Sequence, residues 1–471
     1  MNKQLSHLIK QSLLPLLICL AIGVLLMALW GFIPHPIIII ALCMIPIAVL
    51  IVLQQPFLFV LLFVIFSFFR IHEVFPQIYN FKIPLLLSLA SLSALIWHVA
   101  ISRKVRIYWR PELTAISLFF VLVFIGVALA SNRPIAIEYF KAIYWKIIMM
   151  TFAIAWLSSS EKDFALASRL ITFFGLLVGV VAISNQINGI GLVEGTRVTI
   201  GRDIGSVLGD PNDLALVLMF PVAFATSLIV TAKVGTWTKL LGGISAIVLF
   251  LAIIATQSRG GLLGMMAIFA VFGYRRIHSK ALFITIAILF ASVIFVFAGI
   301  SDRASGGAAE AGIDASAMGR LYAWEAAFGM ALHNPFSGVG LNNFYSNYYY
   351  YSPHWDGLNH AVHSTWFGVL AETGFLGLIV FIVCMFLLIR TSLRSLNRIE
   401  QQLTDKNIKN MKPISPAIHA ASQAIFAGLL GTIVSATFLT QGFTWPIYIL
   451  AALVVAIARW CDLNLPPIAD N

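Results

Sequence analysis

The sequence predicts an all-α fold, a polytopic membrane bundle of about 12–14 transmembrane helices with one long periplasmic loop. Three observations carry that expectation. Of 471 residues, 60% are hydrophobic and only 10% charged, a balance outside the soluble globular range. Apolar runs of roughly 18 residues or more recur from end to end, each long enough for a hydrocarbon core of about 30 Å. The largest interruption, residues 301–363, is polar and returns to an apolar run through Asn359-His360-Ala361-Val362-His363-Ser364.

In chain order, spans are expected near 12–32, 36–53, 56–70, 84–102, 112–131, 140–158, 166–186, 212–232, 237–256, 260–274, 281–300, 364–390, 416–436 and 443–460. No A-x-A-like site follows the first run, so it reads as a retained helix and not a cleaved signal. The runs at 56–70 and 260–274 are short, which suits tilted or re-entrant segments and a total nearer twelve. Residues 1–471 read as a single integral membrane domain. Its outer segments are 187–211 and the longer 301–363, the latter with an amphipathic helix near 320–333. There Leu321, Trp324, Phe328 and Leu332 recur at helical spacing, Asn334-Pro335 ends the helix, and Gly338-Val339-Gly340 makes a turn.

Lys and Arg set the orientation. With the N-terminus inside, the inner loops collect Lys3, Lys10, the cluster Arg103-Lys104-Arg106-Arg110, Lys233, Lys239, Arg275-Arg276-Lys280 and the run Arg390 to Lys412, the larger share of the 30 basic residues. Both termini are then cytoplasmic, and 301–363 faces the periplasm. The net charge of +11 reports topology. It does not point to nucleic acid, because the cations are scattered and no aromatic-interleaved module accompanies them. Cys19, Cys43 and Cys384 fall in spans and Cys461 near the inner C-terminus, so neither a disulfide nor a zinc site is implied.

Cations at the outer ends run against the charge bias and are candidates for function. Arg259, in Thr256-Gln257-Ser258-Arg259-Gly260-Gly261, sits at a helix junction where paired glycines admit a ligand or another helix; a snorkelling anchor is the plain alternative. Arg202 precedes Asp210-Pro211-Asn212, a turn into a helix whose free N–H groups can hold an anion, and Arg197 competes for the same role. Lys141 and Lys146 lie near the outer end of the sixth span, suited to snorkelling or to a basic cavity. Arg320 opens the amphipathic helix, where a cation opposes the helix dipole; an anionic ligand, Glu325 or Asp314 would relieve it. His363 stands at the start of a span, with Glu372, Gly374 and Gly377 beyond, and neutral imidazole is the most useful base near pH 7. His360 is the alternative base. No Gly-x-Ser-x-Gly, P-loop or HExxH occurs, and no outer Asp/Glu cluster suggests a divalent metal, so metal-independent chemistry with no cofactor is expected.

Together these blocks resemble the O-antigen ligase and O-antigen polymerase superfamily of bacterial envelope glycosyltransferases. The likeness rests on Arg202-x-x-Gly205 with Gly209-Asp210-Pro211-Asn212, on Thr256-x-Ser258-Arg259-Gly260-Gly261, and on Arg320-x3-Trp324 continuing through Asn334-Pro335-Phe-x-Gly338-Val-Gly340-x3-Phe344. It ends on His363-Ser364, nine residues, then Gly374-x-x-Gly377. The resemblance covers roughly residues 190–390 and implies transfer of a saccharide from undecaprenyl diphosphate at the outer face of the inner membrane. It further implies diphosphate-binding Arg259 and Arg202, catalytic His363, and an acceptor that is lipid A–core, another lipid-linked repeat or a protein hydroxyl. Two guanidiniums suit the charge that develops on a leaving diphosphate. The aromatic stretch Phe344-Tyr345, Tyr348 to Tyr351 and Trp355 departs from the family pattern, and suits either glycan stacking or a membrane-interface belt.

A ligase is the leading expectation, a polymerase or protein O-oligosaccharyltransferase the runner-up. A lipid-linked saccharide flippase is the reading from another class. A transporter would carry broken or charged helices near mid-membrane in both halves. Here no repeat is visible, the charges gather at outer ends and the largest loop is outside.

Overall fold

The computed structural model describes residues 36–158, 160–297, 315–404 and 413–466, with positions 24, 28 and 31. The expected span 12–32, apart from those positions, and the loop before residue 315 lie outside the described residues. The chain forms two compact units, Met1–Pro56 and Phe57–Asn471. Within the first, α1 spans Pro36–Gln54 and carries Pro46 in its interior.

The described residues of the second unit form helices joined by turns and loops, with one isolated β-bridge. Its helices are α2 Pro56–Phe68, α3 Gln77–Ile101, α4 Pro111–Leu129, α5 Arg133–Leu157, α6 Glu161–Asn188, α7 Pro211–Val230, α8 Thr236–Thr256, α9 Arg259–Tyr274, α10 Lys280–Phe297, α11 Ala315–His333, α12 Phe344–Tyr351, α13 Thr365–Thr404, α14 Pro416–Ala436 and α15 Trp445–Asn464. Among the described residues, nine helices are long and apolar enough to cross a membrane. The two short runs form the 13-residue α2 and the 16-residue α9, below that length. The expected polytopic helical bundle is the observed fold.

Local sequence explains the boundaries. Ser160 and Asp163 form a capping box at α6, Asp210 and Ser258 cap α7 and α9 with their side chains, and proline stands at the first turn of α4, α7, α14 and α15. These satisfy or dispense with N–H groups that a helix start leaves open. Two helices run past their apolar cores. α5 begins at Arg133, seven residues before the expected 140, because Asn132 caps it with a proline following. α13 continues to Thr404, well past 390, since Arg390–Thr404 is polar yet holds helix formers.

α7, α14 and α15 are the most buried of the long helices, and α3 and α8 the least. Hydrogen bonds sort the connections into two ends of this unit. One end joins Ser206 to Glu73, Ser131 to Val339, Val198 to Ala255 and Thr365 to Leu439. The other joins Arg110 and Arg398 to Asp462, and Arg275 to Glu400. The second end carries the cationic loops at 103–110 and 275–280.

Candidate functional site

Three chain segments far apart in sequence meet at the first end. The loop after α6 turns back at Val193–Arg197, then plunges inward: Val198, Thr199 and Ile200 are fully or nearly fully buried. The backbone N–H of Val198 donates to Ala255 O at 3.1 Å, that of Ile200 to Leu208 O at 3.0 Å, and Asn185 Nδ2 donates to Thr199 O at 2.9 Å. This insertion buries Arg197, leaving 5% of it exposed. Its Nε donates to Thr256 O at 3.1 Å and its Nη2 to Asn212 Oδ1 at 3.1 Å.

Asn212 is the hub. Its Oδ1 also accepts from Ser258 Oγ at 3.0 Å, and Ser258 caps α9, accepting from Gly261 N. One amide oxygen thus ties the loop, the start of α7 and the α8–α9 junction, where Gln257 takes a left-handed φ of 49°. Arg259 follows at the first position of α9, half-buried. The space beside Gly261 is filled by helix packing, since a Cβ there would lie 2.5 Å from that of Ala215. The small residues of this block bring α9 against α7.

The second part is built on α11 and α13. Trp324 Nε1 donates to Val362 O at 3.0 Å, and its ring stacks on Phe367 at 5.0 Å, so the amphipathic helix holds the residues leading to His363. α13 breaks at Gly374 (φ 69°, ψ −172°), a conformation that is essentially glycine-only. The backbone groups freed by the break are taken up by the turn after α11. Phe375 N donates to Pro335 O at 2.8 Å and Val339 N to Ala371 O at 2.8 Å, the accounting that buried peptides require. A Cβ on Gly374 would meet Pro335 O at 2.4 Å. The Asn334-Pro335…Gly338-Val339-Gly340 block and the distant Gly374 are therefore two sides of one contact.

His363 precedes α13 with a left-handed φ of 43° and is partly buried. Burial holds its imidazole below the ordinary 6.5, and the Arg320 guanidinium adds most to that effect; Asp210 pulls the other way, while His360 and Arg197 lower it further. These four charges come from the 189–210 loop, α11 and the 352–364 segment. A His so placed is neutral near pH 7 and can accept a proton.

The remaining sequence candidates divide clearly. His360 Nε2 contacts both carboxylate oxygens of Asp356 at 3.0 Å, and that hydrogen bond holds Asp356 below the usual carboxylate range. Glu372, 8% exposed, accepts from Asn342 N at 2.8 Å and Phe344 N at 3.3 Å, anchoring the start of α12. Arg202 is exposed on a 3-10 turn and donates to Gly209 O at 3.5 Å. Arg320 is partly buried in the second turn of α11, which starts at Ala315. The expected clash with the helix dipole is corrected accordingly, because that effect fades within the first turn. Glu325 contacts His354 at 3.4 Å, and Asp314 lies outside the described residues. Lys141 is exposed on a π-helical turn of α5, Phe140–Tyr144, while Lys146 lines a separate cavity.

Sequence reasoning took Asp210 and Asn212 only as a helix start. The structure makes Asp210 the side-chain cap of α7 and Asn212 the link between loop and junction. The signal was present, since an Asx residue on each side of Pro211 exceeds what one cap needs. Among the described residues no group of three or more His, Cys, Asp or Glu is placed to hold a metal ion.

The class the fold defines is a polytopic membrane helical bundle, and one end of it carries guanidiniums and a partly buried imidazole. Residues 244–382 match the family described as O-antigen ligase, and no curated protein matches the chain. That match, over less than a third of the chain, supports a likeness to the O-antigen ligase superfamily of membrane glycosyltransferase-like enzymes of ligase and polymerase type, a family whose partners are lipid-linked glycans and glycan acceptors. The matched segment holds Arg259, Arg320, His360, His363 and Glu372, and leaves Arg197 and Arg202 before it.

Proposed function

We propose that the protein is an O-antigen ligase-like glycosyltransferase. It moves a polysaccharide from undecaprenyl diphosphate to a hydroxyl of lipid A–core, at the periplasmic face of the bacterial inner membrane, with both termini in the cytoplasm. The observation that supports this reading is the match of residues 244–382 to the O-antigen ligase family, a segment that holds both His363 and Arg259. Burial and cations together keep the imidazole in the proton-accepting form.

In this mechanism the acceptor hydroxyl gives its proton to His363 as its oxygen attacks the anomeric carbon. The carbon–oxygen bond to the diphosphate breaks, with inversion, and the leaving charge falls on Arg259 and Arg202. Planar guanidiniums bind phosphate oxygens in pairs. Arg202 is favoured over Arg197 for ligand contact because it is exposed, whereas Arg197 is buried with Nε and Nη2 bound to protein oxygens. Arg197 is assigned to holding the junction and to keeping His363 neutral. The activated donor supplies the driving force, so no nucleotide is consumed.

The test is a deletion strain complemented with variants, scored by surface glycans. Loss of the gene should leave finished polymer unlinked on its lipid carrier. A single repeat joined to the core would instead identify a polymerase, and an unchanged glycan profile would remove the glycosyltransferase reading.

A further inference from the structure

A second basic site lies at the same end of the unit, outside the His363 cluster. A cavity of about 450 Å³ is lined by Arg70, His72, Asn80, Lys82, Lys146 and Trp445, over an apolar wall that includes Phe63 and Leu85. It stands at the end that bears the candidate site, because Glu73, beside His72, accepts from Ser206 Oγ of the 189–210 loop at 2.5 Å.

Three features distinguish it from a set of snorkelling anchors. First, the cations are arranged by strained backbone. Arg70 and Lys82 both take left-handed φ, 52° and 47°, at the two ends of the short segment 71–81. Left-handed non-glycine residues are uncommon, and such strain concentrates at ligand sites. Second, the charges are unequally committed. Arg70 is bound to Glu73 through Nη2 at 2.5 Å and Nε at 2.9 Å, whereas Lys82 and Lys146 form no ion pair among the described residues. Third, their chemistry is amphipathic: positive charge and the donors of Asn80 and Tyr79 stand above aliphatic and aromatic walls. A cavity of that kind fits an anionic head joined to an apolar body.

We propose that this cavity is a binding site for a phosphate ester carried by a membrane lipid, separate from the diphosphate site at Arg259. Lys82 and Lys146 supply the uncommitted charge and Asn80 a neutral donor. Phe63, Leu85 and Trp445 flank the first carbons of the lipid. Combined with the proposed transferase reading, the site would hold a phosphate of the lipid-anchored acceptor while its hydroxyl reaches His363.

The test is a binding measurement that needs no transfer reaction. Detergent-solubilised full-length protein is titrated with fluorescent phosphatidic acid, with fluorescent diacylglycerol of the same chains, and with inorganic phosphate as competitor. Wild type should bind phosphatidic acid at least about tenfold more tightly than diacylglycerol, and Lys82→Gln/Lys146→Gln should lose about tenfold or more of that affinity. Lys82→Arg/Lys146→Arg should retain it, which separates lost charge from lost folding. Arg259→Ala should bind as wild type does, which separates this cavity from the diphosphate site. Equal binding by the Gln double variant and wild type would overturn the proposal, as would equal binding of diacylglycerol. Displacement by inorganic phosphate at the concentration of lipid used would reassign the cavity to a free anion. If deletion shows the protein not to be a glycosyltransferase, the lipid titration still decides the site.

Discussion

Replacing Arg197 by alanine separates the roles of the two loop arginines. The buried guanidinium makes two 3.1 Å bonds, to Thr256 O and Asn212 Oδ1. After truncation Asn212 keeps Ser258 Oγ as a partner, so the side-chain amide is not orphaned. The Thr256 carbonyl loses the Arg197 donor at the end of α8. An unmet buried acceptor costs about 1–3 kcal/mol, and water entering the vacated volume would bring the loss toward the lower figure. Arg202→Ala removes one 3.5 Å contact from an exposed side chain and should stay within about 0.5 kcal/mol. The assay is SDS titration of purified protein in mixed micelles, followed by helical circular dichroism, with transfer measured on the same samples. Arg197→Ala should be destabilised by about 1–3 kcal/mol, while Arg202→Ala should be stable yet lose transfer. Activity should carry a second signature. Arg197 helps to depress the His363 pKa, so removing it lets that pKa rise, and the acidic fall-off of residual activity should move to higher pH. Equal stability of Arg197→Ala and wild type, or loss of stability in Arg202→Ala with transfer intact, would refute the division of roles.

Four further outcomes are expected. His363→Gln, which hydrogen-bonds but takes no proton, should lose about 10²–10⁴-fold in transfer while still binding donor; near-normal turnover with His360→Ala inactive would move the base to His360. In wild type, the activity-controlling ionisation should lie below 6.5, because burial and Arg320 hold His363 down, and Arg320→Gln should raise it; a midpoint above 7 would contradict the site. Gly374→Ala should cost about 1–3 kcal/mol from backbone strain alone, before the 2.4 Å approach to Pro335 O, and should lower folded yield; wild-type yield and stability would show that the break in α13 is not required. In a cysteine-free background, Tyr350→Cys should react with an impermeant thiol reagent in outer-membrane-permeabilised cells and Lys104→Cys should not; the reverse pattern would invert the topology.

The sequence by itself determined the fold class, the helices and most of their ends. Those properties depend on local composition: apolar length against bilayer thickness, caps such as Ser160, Asp210 and Ser258, and prolines in first turns. It also marked out candidates for chemistry, because cations expected at the outer ends run against the charge bias. Only the tertiary structure decided what those residues touch. Arg197 and Arg202 are five residues apart in one loop, yet one is buried on Asn212 and the other exposed, because the chain turns inward at Val198. Glu372 sits nine residues after His363, but its oxygens are engaged by Asn342 and Phe344. Gly374 and the Asn334–Gly340 turn are separate motifs in the sequence and one hydrogen-bonded contact in the fold. Lys146 belongs to the cavity shared with Arg70 and Lys82, which no helical spacing on α5 could indicate. Helix formation is settled by neighbours within about four residues, whereas a site is settled by packing between segments whose separation along the chain carries no distance information.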